Sequence, residues 1–112
     1  MKHQSSNFQA LAVATRAATA CIELANHVQH PFGDVVSQLQ RAALSMPLNL
    51  TEGAGRQGKA RRNFYRIAYG SARETKQIVE ILAKLNMVDA KESEKCLALV
   101  DRVCAMCWKL TR

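Results

Sequence analysis

A chain of 112 residues fits one domain, spanning 1–112, and buries roughly two-thirds of its unfolded surface, so neither disulfides nor a metal is needed to hold it together. Apolar residues make up 48% of the chain and aromatic ones only 5%, which excludes a core of stacked rings and favours helices packed closely through alanine and aliphatic side chains. The formal charge of +7 is concentrated: residues 56–76 hold seven basic side chains against one acid, whereas 1–55 carry three of each and 77–112 six and five.

Phe8, Leu11, Thr15, Ala18, Ile22 and Ala25 recur at spacings of three and four, which predicts a first helix over about 7–28 with these residues on its buried stripe. Ser6 with Gln9 offers a capping box at its start, and His30-Pro31 and Gly33 end the pattern. A second helix, about 34–52, opens at Asp34 and carries Val35, Leu39, Ala42, Met46 and Leu50 on its stripe. Pro47 lies inside it, so a kink is expected near Ala43 to Pro47. The third and longest helix, about 59–85, reads Phe64, Ile67, Ser71, Thr75, Ile78, Leu82 and Leu85, with Asn86 suited to a left-handed C-terminal cap. Asp89 and Glu92 form a second capping-box pattern before a fourth helix, about 90–110, striped by Cys96, Val100, Val103, Cys107 and Leu110. With no strand signal and short connections, the expected fold is all-α, an antiparallel up-down-up-down four-helix bundle.

No apolar run reaches the roughly 20 residues of a membrane-spanning helix, and the MKHQSSNFQA start has no secretory apolar stretch, so the expected compartment is the cytoplasm. There Cys21, Cys96, Cys104 and Cys107 stay reduced and serve as small buried apolar groups. Cys104-Ala105-Met106-Cys107 is a lone C-x-x-C without the second ligand pair that zinc requires, so no metal is expected. Gly53-Ala54-Gly55-Arg56-Gln57-Gly58 spells G-x-G-x-x-G, but a dinucleotide site needs a preceding strand, so the segment reads as a glycine-rich interhelical turn and no cofactor is expected. The free N–H groups opening the third helix, beside Arg56 and Lys59, suit a single phosphate at most. His3, His27 and His30 cluster around the first helix, away from any nucleophile and orienting partner, and Glu52 and Glu74 lie among arginines that suit ion pairing, so the chain is not expected to be an enzyme.

The run from Ser37 to Arg56, of pattern S-Q-L-x-R-A-A-x-S-x-P-x-N-x-x-E-G-x-G-R, together with Phe64, Ile67-Ala68, Gly70-Ser71 and Glu74, resembles the four-helix bundle family of ribosomal RNA intervening-sequence proteins, to which the accessory protein of diversity-generating retroelements is related. The likeness runs from about Phe8 to Leu110. Met46 and Thr51 stand where Ile and Ala are typical, and Arg61 and Arg62 add charge before Phe64. The resemblance implies a ring-like homopentamer without catalytic residues and, in the retroelement branch, a basic surface that engages nucleic acid and a reverse transcriptase.

The expected function is therefore that of an oligomeric accessory protein binding RNA or DNA through Arg56, Lys59, Arg61, Arg62, Arg66, Arg73 and Lys76, with phosphate contacts that carry no sequence information. Arg61, Arg62 and Arg66 are expected along one solvent-facing flank. A different class of function, a scaffold docking an acidic protein, uses the same charge. No aromatic platform is apparent beside the basic segment to separate the two. Tyr65 and Tyr69, outside the main stripe, are expected on surface that self-association covers.

Overall fold

The computed structural model describes the backbone of residues 2–112 and the side chains from Phe8 onward. Four helices account for all its regular secondary structure among the described residues: α1 (Lys2–Asn26), α2 (Val35–Ala54), α3 (Gly58–Lys84) and α4 (Ala90–Leu110). Each packs against two others, α1 and α3 both lying between α2 and α4. Contacts across each pair run in opposite senses. On α3 and α4, Tyr69 meets Trp108 and Lys76 meets Asp101; on α2 and α3, Ser45 meets Ser71 and Gly53 meets Tyr65. On α1 and α4, Cys21 meets Cys96 and His27 meets Glu92, while Gln40 near the start of α2 bonds Asn26 at the end of α1. The neighbours are thus antiparallel, as connections of three and five residues after α2 and α3 require, since such lengths span far less than a helix of about 30–40 Å.

Local chemistry explains the ends. Asn86 takes the left-handed conformation at φ 56°, its N–H bonding Ala83 O and that of Met87 bonding Leu82 O, both at 3.0 Å, which closes α3 with a Schellman motif. The Asp89 side chain accepts the Glu92 N–H at 2.9 Å at the start of α4. The reciprocal half of that capping box is diverted, because the Glu92 carboxylate sits 3.0 Å from His27 Nδ1 and ties the end of α1 to α4. Asp34 occupies the N-cap of α2 but makes no side-chain cap bond; its carboxylate lies 3.8 Å from Arg41. Pro47 does not end α2, which runs continuously to Ala54. The α1 helix starts at Lys2, so Ser6 lies within it, and the proposed side-chain box of Ser6 with Gln9 falls outside the described side chains.

The stripes of α2 and α4 are buried as expected, Leu110 being half-buried at the end of its row. Those of α1 and α3 are rotated. The buried face of α1 is Ala10, Val13, Ala14, Ala17, Ala18, Cys21, Leu24 and Ala25; Leu11 and Ile22 flank it and Thr15 is exposed. Alanines form the contact surface because they let backbones approach closely, while the larger side chains fit only at the edges. Phe8 is 73% exposed, on the row of half-buried Leu11 and exposed Thr15 rather than on the face of buried Ala10. On α3 the buried face is Tyr65, Ala68, Ser71, Ala72, Thr75, Val79 and Leu82, leaving Ile67 and Leu85 exposed and Phe64 and Ile78 half-buried. Tyr65, expected at the surface, is 2% exposed and belongs to the core; Tyr69 is half-buried against it. Room for the Tyr65 ring comes from Gly53, where an added Cβ would lie 2.6 Å from Tyr65 Cε1 and 2.8 Å from Cδ1.

Candidate nucleic-acid interface

The basic residues of α3 fall into two groups because consecutive helical positions differ by about a third of a turn. Arg61 turns toward the end of α2. Its Nε donates to Arg56 O at 2.8 Å and to Gly53 O at 3.3 Å, and its Nη2 to Ala54 O at 3.4 Å, so the guanidinium ties together carbonyls of the last turn of α2 and of the turn that follows, Gly53 O also accepting the Arg56 N–H at 3.0 Å. Arg56 is held at the same corner by Glu52, with Nη2 to Oε2 at 2.8 Å, and its guanidinium lies 5.3 Å from the Phe64 ring centroid. The ion pair expected for Glu52 is thus formed, while Glu74 makes none among the described residues. Arg61 therefore does not share a free flank with Arg62 and Arg66: its donors are committed to the chain itself.

The second group forms a row. Lys59, Arg62, Arg66, Tyr69, Arg73 and Lys76 follow one another at alternating spacings of three and four, about 25 Å along the α3 flank that faces α4. Lys59, Arg62, Arg66 and Arg73 are exposed and make no ion pair among the described residues. Lys76 closes the row: its Nζ lies 3.0 Å from Asp101 Oδ1, a hydrogen bond that raises its pKa above the ordinary lysine value.

Within this row sits a feature that the sequence did not disclose. The Tyr69 and Trp108 rings meet across α3 and α4 with centroids 5.6 Å apart, tilted by 45°. Arg73 lies 5.8 Å from the Tyr69 centroid and Arg112 5.4 Å from that of Trp108. Two of only six aromatic residues thus stand among the exposed arginines. Thirty-nine positions separate Tyr69 from Trp108, so no local spacing signals their meeting; a tryptophan outside the apolar stripe of its helix, one turn before Arg112, was the available hint.

Of the cysteines, only Cys104 borders this surface, on the wall of a depression shared with Tyr69, Arg73 and Lys76. Cys21, Cys96 and Cys107 are buried and Cys104 half-buried. A hydrogen bond with Cys96, reinforced by burial, holds the Cys21 thiol far above its ordinary range. Burial pushes Cys107 up to about 12 and also raises Cys104, so both stay protonated near neutrality and pack as small apolar groups rather than reactive thiolates. The glycine-rich segment is the α2–α3 turn, with Gly53 in the last turn of α2 and Gly58 opening α3 at φ +58°.

A sequence-family model for the 23S rRNA-intervening sequence protein matches residues 6–109, nearly the whole chain and all four helices. The chain belongs to that family. No curated protein matches it. Within the intervening-sequence pattern, two quoted positions now have structural reasons: Gly53 admits the Tyr65 ring, and Glu52 pairs with Arg56. No helix among the described residues is long and apolar enough to cross a membrane.

Proposed function

We propose that this intervening-sequence protein is a non-enzymatic, self-associating accessory protein that binds nucleic acid through the α3 flank, holding phosphates without reading sequence. The observation that carries this reading is the row of Lys59, Arg62, Arg66 and Arg73, four exposed cations on one flank, the first three a turn apart and Arg73 two turns beyond Arg66, with no acid paired to any of them among the described residues. A charge surplus arranged as a line suits a polyanion whose charges also lie in a line. Arg56, Arg61 and Lys76, each engaged by the chain itself, contribute to the local field more than to direct contact.

Self-association has separate support. Ile67, Gly70, Glu74, Ile81 and Leu85 share the opposite flank of α3, beside α2, where Leu44 and Leu48 are also exposed. Gly70 has open space where a Cβ would stand. Such a largely apolar strip, interrupted by Glu74, is suited to burial against further copies, and the family likeness puts their number at five. A ring would repeat the basic flank around its circumference and multiply affinity through multivalency. A reverse transcriptase is the protein partner that the retroelement likeness suggests.

The test is a titration of the whole protein with RNA and DNA oligonucleotides at several salt concentrations. Affinity should fall steeply with salt, with a slope on duplex DNA of up to about 3.6 per chain for four phosphate contacts. Changing Arg62, Arg66 and Arg73 together to Glu should abolish binding while circular dichroism and mass in solution stay unchanged. Absent or salt-insensitive binding by the unaltered protein would overturn the reading and leave docking of an acidic protein as the use of this charge.

A further inference from the structure

The basic row described above is not uniform: at its centre the cations give way to Tyr69, and against Tyr69 stands Trp108, 49% exposed. A surface that only neutralises phosphates gains nothing from an exposed indole. Removing part of a large ring from water is favourable, and a bundle that left Trp108 half uncovered retains that gain for a ligand. The tilt of 45° between the two rings leaves them as the walls of a wedge rather than a closed stack, and an open depression lined by Tyr69, Arg73, Lys76 and Cys104 adjoins it, with Glu74 and Glu80 also on its wall. Arg66 and Arg73 stand one helical turn to either side of Tyr69, about 5–6 Å away along the flank.

We propose that this aromatic wedge makes the flank a site for single-stranded nucleic acid, with a base stacked on Trp108 while the arginines on either side hold the adjoining phosphates. The inference rests on the nucleic-acid-binding reading and narrows it to one strand state. In a duplex the faces of the bases are already covered by their neighbours, so only an unpaired base can present one to an indole. Stacking accepts any base, since each has a π-face, so strand state rather than sequence is what the wedge distinguishes. Arg112, its guanidinium 5.4 Å from the indole centroid, adds a further cation beside the ring for a neighbouring phosphate.

Trp108 is the sole tryptophan, so its emission reports on this place alone. The experiment follows that emission in the unaltered protein as an oligothymidylate of about 15 nucleotides is added, then repeats it with the duplex formed with its complement. Quenching by the single strand, with little change on duplex binding, is expected. Trp108→Ala should weaken single-strand binding at least about fivefold and leave duplex binding within about twofold, whereas Trp108→Phe should retain most of the single-strand affinity. Equal affinities for both strand states with no quenching would overturn this inference and leave the phosphate-binding reading standing. Failure of both nucleic acids to bind would overturn that reading, and this one with it. The quenching measurement needs no variant, so the proposal stays testable even if Trp108→Ala disturbs the fold.

Discussion

Replacing Gly53 by alanine isolates the contact between α2 and the Tyr65 ring. Alanine stabilises a helix interior by up to about 1 kcal/mol relative to glycine, and Gly53 lies in the last turn of α2, where only part of that gain applies. Against it stands a methyl group placed 2.6 Å from Tyr65 Cε1, 2.8 Å from Cδ1 and 3.2 Å from Phe64 Cβ. The ring has little freedom to withdraw: Tyr65 is 2% exposed, and its buried hydroxyl already has no hydrogen-bond partner among the described groups. Overpacking of this kind costs about 1–3 kcal/mol, so a net loss of roughly 1–2 kcal/mol is expected, or a fall in Tm of about 4–8 °C. Gly70→Ala is the internal control, because its Cβ would meet nothing within the chain. That change should leave Tm unchanged or raise it by a few degrees, unless the exposed face it occupies is covered by another copy, in which case mass in solution will change as well. Thermal unfolding followed by circular dichroism at one fixed chain concentration compares the two. A Gly53→Ala variant as stable as the parent would refute the packing argument, and pairing it with a smaller residue at position 65 should recover part of the loss.

Arg61 and Arg62 are neighbours with different expected effects. Arg61→Ala removes three hydrogen bonds, two to carbonyls ending α2 and one to Arg56 in the turn after it, and should cost about 1–2 kcal/mol, with Arg61→Lys recovering little because an ammonium lacks the guanidinium fork. Arg62→Ala should stay within about 0.5 kcal/mol in chemical denaturation while weakening nucleic-acid binding. Alkaline stability should follow the buried thiols. Cys107 keeps its proton up to about 12 in the folded chain, whereas an unfolded thiol releases it near 9, so the unfolded state binds fewer protons between those values and stability falls as pH rises. The slope from this group is at most about 1.4 kcal/mol per pH unit, and Cys107→Val should flatten it; a denaturation midpoint unchanged from pH 8 to 10 in the parent would count against the burial argument.

Helix number, the Asn86 and Asp89 caps and the buried rows of α2 and α4 were all legible in the sequence, while α1 begins at Lys2 rather than near residue 7. Each depends on a few consecutive residues, through helical periodicity, a left-handed position or one side chain reaching its own backbone, and such information is complete before the chain meets itself. The buried face of α1 was not, because a hydropathy pattern ranks Leu11 and Ile22 above Ala14 and Ala17, whereas the distance between packed backbones decides which of them fits at the contact. Tyr65 went to the core for a related reason: only the antiparallel register of α2 and α3 sets it opposite a glycine. The same holds for the candidate site. Its charge was visible as a run of seven basic residues, but adjacent arginines on a helix point in different directions, and what each one meets depends on the neighbouring helix. Arg61 meets the carbonyls ending α2, Arg62 meets none of the described acids, and Tyr69 meets Trp108 because α4 returns beside α3 in a fixed register. Composition thus determined that the chain carries a basic segment, and packing alone decided which of its cations are free and which aromatic rings stand among them.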